Sequence, residues 1–506
     1  MEQNSGLRTA VVAAFLLGFA TAPPGGGAAA QDSLHFKGAG GTDTLSLSLY
    51  DAIMLALERN PTVTIQRLDP KIMKSYADEQ RAMFDPVLSA SASNSESKSE
   101  RFLGARPDPF ELLSKRSQYD LQLSEALPSG TTVTAGTSVS GSTSNIFRDQ
   151  YTGNMGVTFS QALLRGMGWG ANLAALRKAR LDVEISNAEL KGVAEQLVAD
   201  VENAYWALYL ARREIDIQRE SLALAEKQLQ ESLERVAVGR LPELELAAVH
   251  AEVSTRNEAL IDAQSQYEQA RLHFIFLVNP EHRDMWTISP ELIDVPFMPV
   301  DSLGEVSLHE ALGLKYRPDL QQAEFELKKG ELDIVRTRNG MLPRLDMFIS
   351  LGRNSYARTF KDGLPDYSSP YYDVSVGLSF EFPVLNRQAA AQAARARWSY
   401  EQMLHSLENM KRLVQWDVRS AYIEVLRMHK LIETTKVTLA LQERKLAAEQ
   451  EKFRVGKSTN FLVLQAQRDL TASQLDEARA VVSYLEALIR LYQMEGTLLE
   501  RRGISD

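Results

Sequence analysis

The strongest constraint on this chain is that its second half restates its first. Leu47-Ser48-Leu49-Tyr50-Asp51-Ala52-Ile53 returns as Val306-Ser307-Leu308-His309-Glu310-Ala311-Leu312. Each copy is followed by two prolines 25 residues apart, Pro61 and Pro86 in one half, Pro318 and Pro343 in the other. Gly156-Val157-Thr158-Phe159 then pairs with Gly377-Leu378-Ser379-Phe380, and from there one offset of 217 residues holds. Val201, Ala204, Tyr205, Val238, Gly239, Arg240 and Tyr267 fall on Val418, Ala421, Tyr422, Val455, Gly456, Lys457 and Tyr484. A register kept that long means two equivalent halves, each a single long supersecondary unit rather than a short solenoid repeat. The length of 506 residues therefore does not count domains here.

Within each half the hydrophobic period changes. Residues 47 to 59 predict a short amphipathic helix, and 62 to 83 a longer one that ends before Pro86. After the proline the period becomes two: Leu345, Met347, Ile349 and Leu351 alternate with Asp346, Phe348, Ser350 and Gly352, and Val374, Val376, Leu378, Phe380 and Phe382 with Asp373, Ser375, Gly377, Ser379 and Glu381. These are strands of ~10 residues, the length that spans a bilayer when tilted, with one apolar face and one small, polar face. The first half offers more of them, around Leu88–Ala92, Tyr119–Leu123, Val133–Val139 and Met155–Phe159, and Leu123–Gly130 resembles Phe159–Gly166 as a duplicated hairpin would. Segments 98 to 118, 141 to 152 and 353 to 370 are expected as loops at the far end of the strands.

Residues 171 to 235 and 388 to 453 contain no proline and one glycine, Gly192, and predict helices of about 100 Å. Val201, Ala204, Tyr205 and Leu208 are spaced i, i+3, i+4, i+7, and Val418, Ala421, Tyr422 and Val425 repeat the stripe, which needs neighbouring helices to cover it. The helices stop at Val238-Gly239-Arg240 and Val455-Gly456-Lys457, where glycine suits a left-handed cap. Returning helices follow over about 243 to 278 and 459 to 497. Gly166-Met167-Gly168-Trp169-Gly170 is expected to form a flexible joint between strand and long helix.

The first thirty residues have the layout of a secretory signal peptide: one basic residue, the apolar run Ala10 to Ala22, then Ala28-Ala29-Ala30 as a cleavage site, with the mature chain starting near Gln31. No later apolar run is long enough for a membrane-spanning helix. The absence of cysteine excludes disulfides, thiolate metal sites, a cysteine nucleophile and an N-terminal lipid anchor. With 56 basic against 66 acidic residues there is no polybasic footprint, so nucleic acid is not an expected partner. No reaction motif is complete either. His309-Glu310-Ala311-Leu312-Gly313 lacks the second histidine of a zinc-protease helix, and Gly136-Thr137-Ser138-Val139-Ser140 lacks the last glycine of a nucleophile elbow. The chain is expected to be no enzyme and to need no metal or cofactor. Tyr371, Tyr372, Phe380 and Phe382 near strand ends suit interfacial girdles or core packing.

An export signal, a duplicated helix-strand-helix module, barrel strands joined to helices of this length and a Val-Gly turn before a helical return resemble the TolC-like outer-membrane efflux protein family, from about residue 45 to 500. The resemblance implies a mainly α chain with transmembrane β: a trimeric β-barrel continued by a long α-helical barrel, serving as a passive exit duct for an inner-membrane transporter. The organisation it implies is a signal peptide 1–30, a linker 31–44, repeat 1 over 45–295 with barrel strands about 86–163 and long helices about 171–278, repeat 2 over 296–500 with strands about 344–384 and long helices about 388–497, and a tail 501–506. The expected partners are two further copies, a periplasmic adaptor, the transporter and outer-membrane lipid; the location is the outer membrane of a Gram-negative-type cell, extending into the periplasm. The family docks its adaptor at the Val-Gly tips, which implies contact roles for Val238, Gly239, Arg240, Val455, Gly456 and Lys457. It often has an acidic pore-mouth residue six positions later, here Glu245, with Arg240 as a nearby partner, but Leu462 in the second half. The added hairpin of repeat 1 departs from the usual four strands per protomer, and would either widen the barrel or lie outside it; the clean alternation of its strands favours widening. An outer-membrane barrel lipase and a periplasmic coiled-coil structural protein are the alternative classes.

Overall fold

The computed structural model describes residues 36–37, 44–101, 109–146, 148–239, 241–281, 284–297, 303–365 and 368–504. The expected signal segment 1–30, its boundary near Gln31, and Arg240 lie outside the described residues. In chain order the elements are β1 (Phe36–Lys37), β2 (Thr44–Leu47), α1 (Leu49–Arg59), α2 (Pro61–Gln66), α3 (Asp69–Arg81), β3 (Val87–Arg101), β4 (Phe110–Ala126), β5 (Thr131–Ser144), β6 (Gln150–Ala162), α4 (Trp169–Asn172), α5 (Ala174–Ala237), α6 (Leu246–Val278), β7 (Ser289–Leu292), α7 (Val306–Tyr316), α8 (Pro318–Gly340), β8 (Arg344–Ala357), β9 (Tyr372–Glu381), α9 (Arg387–Arg454), α10 (Asn460–Glu495) and α11 (Leu498–Arg501).

Local chemistry sets the boundaries. Ser48 and Asp51 form a reciprocal capping box that starts α1, and Asn60 caps α2 with Pro61 in its first turn. The single helix expected over 62 to 83 is divided at Arg67 and Leu68. Pro70 has no N–H to give and crowds the residue before it, so the chain restarts as α3 with that proline in its first turn.

The strands form one antiparallel sheet in the order β3-β4-β5-β6-β8-β9. Apart from β9, with 10 residues, they run longer than expected, up to 17 in β4. Much of what the polar composition marks as loop is ladder. In β3 and β4 the pairs Lys98–Glu111 (2.8 Å) and Lys115–Glu96 (3.2 Å) bridge the two strands, so charged residues here decorate an extended ribbon instead of ending it.

The long helices α5 and α9, with 64 and 68 residues, reach about 100 Å. Val201, Ala204, Tyr205, Leu208, Val418, Ala421 and Val425 are all buried, and Tyr422 is half-buried. Close to the sheet the helices stand side by side as α3, α5, α8, α9; beyond it the row becomes α6, α5, α10, α9. Where the rows change over, α1, α7 and the small sheet β1-β2-β7 pack on the helices, and Leu47, Ile53, Tyr205, Phe274, Ile288 and Leu491 form the core. The Tyr205 hydroxyl donates to Leu47 O (3.3 Å) and accepts from the Asp294 N–H (3.0 Å).

The strand-to-helix joint is built differently from the flexible link expected. Gly166 and Gly168 have φ of +85° and +89°, a backbone that L side chains avoid. Asn172 Nδ2 donates to Pro128 O (3.0 Å) and Gly166 O (2.7 Å), while Asn339 accepts from the Gly166 N–H (2.8 Å). These glycines serve shape, and three elements hydrogen-bond across them.

Candidate functional site: the two-faced sheet, the flanks and the hairpin tips

Strand register turns alternation into a surface. Leu88 pairs with Leu123, that with Ala135, then Val157, Leu351 and Val374, so one apolar row crosses all six strands. Neighbouring rows on the same face bring Leu121, Met155 and Tyr372, or Val133, Phe159, Ile349 and Val376, into line. Toward the outer strands these side chains stay exposed in the protomer, Leu88, Val376 and Leu378 each at 68%, while Val133, Ala135, Met155, Val157 and Ile349 in the middle are half-buried. An uncovered apolar face of this extent is a surface for another apolar phase.

The opposite face carries Ser89 to Ser99 of β3, Asp120 and Gln122, Thr132 and Thr134, Thr158 and Ser160, Ser350, and Ser375 and Ser379. It includes a transverse row of three glycines, Gly136, Gly156 and Gly352. A Cβ on Gly156 would sit 2.7 Å from Leu351 O, so the strands approach too closely there for any larger residue. Elsewhere an aromatic ring fills the gap: Phe348 covers Gly377 on this face, and Tyr151 covers Gly141 on the apolar one.

Aromatics gather at both ends of the sheet, with Tyr119, Tyr151, Tyr372 and Phe380 on the apolar face and Tyr356 and Tyr371, by register, on the opposite one. Tyr371 and Tyr372 at one end of β9, and Phe380 and Phe382 at the other, are exposed, which removes core packing as their role. Phe360 meets Tyr119 and Tyr151 edge-on at 5.6 and 6.1 Å, and Tyr356 meets Tyr371 at 5.8 Å. From Tyr372 to Phe380 the strand covers ~26 Å, close to the height of a bilayer's apolar band.

The two outer flanks of the helix rows also carry exposed apolar residues. On α2 and α3 they are Ile65, Ile72 and Tyr76, continued on α6 by Ile261 and Phe276; on α9 they are Trp416, Ile423 and Val437, a heptad apart or a multiple of one. Spacing alone would have revealed part of these stripes, since 72 and 76 on α3, and 416, 423 and 437 on α9, each return to one helical face.

At the far ends of the hairpins, Gly239 and Gly456 take φ of +72° and +76°. The second tip closes with the Lys457 N–H on Lys452 O (2.8 Å), the six-to-one bond of a Schellman cap. Val238 and Val455 are exposed at 67% and 60%, beside exposed Leu244, Phe461 and Leu462. The tips are tied together from behind. The Arg235 guanidinium lies 4.0 Å over the Phe453 ring and donates to Phe453 O (3.0 Å), and Gln228 donates to Asn460 (2.8 Å). Glu245 is exposed just before α6, where a carboxylate suits the helix dipole. Its expected partner Arg240 is outside the described residues, and the equivalent Leu462 lies in the first turn of α10.

Buried ion pairs lock the helices, and those that join distant residues the sequence did not reveal; only Glu252 with Arg256, four positions apart on α6, is a local pair. Glu252 of α6 accepts from Arg256 (2.8 Å) and from Arg468 of α10 (2.9 Å). Burial would raise its pKa, but the two guanidinia outweigh that and hold the carboxyl below its usual range. The Glu202 carboxyl is pushed up by burial against the opposing pull of Arg502, and the Tyr205 phenol is pushed up to about 12, again chiefly by burial. His309 Nδ1 lies 2.5 Å from Glu495, buried where α7 meets the end of α10. Among the described residues no helix is long and apolar enough to cross a membrane.

The family model for outer membrane efflux proteins matches residues 109–279 and 311–497. The pyoverdine export outer membrane protein OpmQ of Pseudomonas aeruginosa is 24% identical over 334 residues, 65% of this chain and 67% of that one. The proteases secretion protein PrtF of Dickeya chrysanthemi is 22% identical over 340 residues, 64% of this chain and 72% of its own. Among solved structures, the outer-membrane channel OprN superimposes with a TM-score of 0.66 at 17% identity, covering 88% of this chain and 89% of that one. The Vibrio cholerae outer membrane protein VceC gives 0.66 at 17%, covering 88% and 96%. The family match takes in β4 to α6 and then most of α7 to α10, so it spans both halves of the chain: the protein belongs to the outer membrane efflux protein family.

Proposed function

We propose that this outer-membrane exit duct is completed by three copies of the chain, each contributing duplicated halves to one wall, and that it receives its cargo from an inner-membrane transporter through a periplasmic adaptor. The observation that carries the reading is the pairing of open ends. The sheet leaves a strand edge at β3 and another at β9, and the helix rows leave apolar stripes on the same two sides. An open edge in lipid strands backbone donors and acceptors, so the sheet needs a neighbour on each side. A head-to-tail contact of one flank on the other closes a ring. The apolar face then meets lipid and the serine-rich face lines water.

The tips support adaptor contact. Val238, Gly239, Val455, Gly456 and Lys457 sit at the distal ends of rigid hairpins, surrounded by exposed apolar side chains, and Arg240 falls in the same turn by sequence. Glu245 would place one carboxylate per copy at the mouth, with Leu462 adding none. A barrel hydrolase would need a histidine on the wall, whereas the described histidines lie on α6, α7 and α9. A purely coiled-coil structural role leaves the six-stranded sheet without a purpose.

The test is deletion of the gene, followed by measuring retention of dyes, metals, drugs and secreted proteins with the transporter intact. Export of at least one cargo class is expected to fail. Normal export of all four would defeat the duct reading.

A further inference from the structure

We propose that the membrane wall of this duct has eighteen strands, six from each of three copies, and that its seam joins β3 of one copy to β9 of the next. The proposal rests on the three-copy reading above and adds the composition of the wall. The resemblance implies four strands per copy, but here six form one uninterrupted ladder. To leave β3 and β4 out of the wall would break the pairing of β4 with β5 along its whole length, from Ser114↔Ser144 to Ala126↔Thr132.

Three features fit β3 as a wall strand. Its Leu88, Ala90 and Ala92 continue the apolar face, in register with Leu123, Leu121 and Tyr119. Its other face is serine at every position from Ser89 to Ser99, matching Ser375, Gly377 and Ser379 on β9 in size and polarity. Finally, β3 leads away from the helices and β9 leads back to them, so β3 beside a neighbour's β9 continues the antiparallel alternation without a parallel pair.

Width favours the same count. Four helices packed ~9.5 Å apart span about 38 Å per copy. Six strands ~4.8 Å apart and tilted by ~40° span about 38 Å, whereas four span only about 25 Å. The six-strand wall therefore sits on the helical tunnel without a step. Because barrel diameter grows roughly linearly with strand number, eighteen strands give a bore about half again as wide as twelve. At the row of Gly136, Gly156 and Gly352 three neighbouring strands in each copy present no side chain to the bore.

The chain has no cysteine, so engineered pairs report without background. Ser89→Cys, Ser91→Cys and Ser93→Cys are each combined with Ser375→Cys or Ser379→Cys, and the assembled protein is oxidised in outer-membrane preparations. A second set pairs Thr134→Cys or Ser138→Cys with the same β9 positions. At least one β3–β9 pair is expected to shift the chain from one-chain to three-chain mass on non-reducing gels, reversed by reductant, while the β5–β9 set stays at one. Cross-linking of the β5–β9 set instead puts the hairpin outside the wall and overturns the proposal. So does cross-linking of neither set in a particle that still has three-chain mass. A particle of one-chain mass overturns the three-copy duct as well.

Discussion

Arg502 meets Glu202 with two parallel bonds: its Nε and Nη2 each lie 2.6 Å from a different carboxylate oxygen, joining residues 300 positions apart. The glutamate side chain is fully buried and the arginine 32% exposed. Together they fasten the C-terminal end of the chain to the middle of α5, beside the stripe residues Val201, Ala204 and Tyr205. A buried carboxylate raised by desolvation is tolerable only while that guanidinium stays in place.

Arg502→Ala strands the carboxylate and is expected to cost about 3 kcal/mol of stability, the usual penalty for halving a buried pair. Arg502→Lys should recover only part of it, because one ammonium cannot satisfy both oxygens in that planar geometry. Denaturation midpoints of the purified assembly measure this, and an unchanged midpoint for the alanine variant would contradict it.

The Glu252 cluster predicts a pH dependence. Its folded pKa lies below the ordinary glutamate value of 4.5, so the native state takes up the proton later than the unfolded chain. The stabilisation is complete above about pH 4.5 and drains away as the pH falls through the depressed value. Thermal midpoints of wild type and Glu252→Gln should differ most at neutral pH and converge as the pH falls below the ordinary glutamate value. A gap that stays constant across that range would count against the assigned role.

Two glycines of one row should respond differently to the same change. An added methyl on Gly156 meets the Leu351 carbonyl at 2.7 Å, while one on Gly352 finds Met155 O at 3.5 Å, an ordinary contact. Gly156→Ala is expected to destabilise the sheet by about 1–3 kcal/mol through overpacking. Gly352→Ala should be close to neutral. Heat resistance of the assembled band in detergent gels compares them directly, and equal losses would refute the close-approach argument.

At the tips, Val238→Asp and Val455→Asp place charge on surfaces that bury nothing within the protomer. Folding and three-chain mass should be unchanged. Adaptor binding should weaken about tenfold or more, a loss of ~1.4 kcal/mol or greater. Pull-down with purified adaptor and cargo retention in cells measure the two sides, and full binding by both variants would place the contact elsewhere.

Several of these features are legible in the residues. The period-two runs give the apolar face, because each strand carries its own alternation. The Val-Gly dipeptides mark the tips, because a left-handed cap is a local demand met by glycine. The stripe at Val201, Ala204, Tyr205 and Leu208 announces its own burial. The strand ends are less legible: β3 runs on to Arg101 through Glu96 and Lys98, whose propensities argue for loop, because β4 supplies opposite charges across the ladder. The break before Pro70 and the hydrogen-bonded joint around Asn172 also depend on local geometry that composition only hints at.

Two halves with the same order of elements, long helices ending in glycine caps, and strands with one greasy and one wet side are written into the residues, since each follows from periodicity within a short window. That six strands share one ladder, that Gly136, Gly156 and Gly352 align, and that Glu202 finds Arg502 and Glu252 finds Arg468 were settled by the packed fold. Register and buried charge pairing join residues tens to hundreds of positions apart, and no local pattern encodes a partner at that distance; it is fixed only when the helices and sheet have packed.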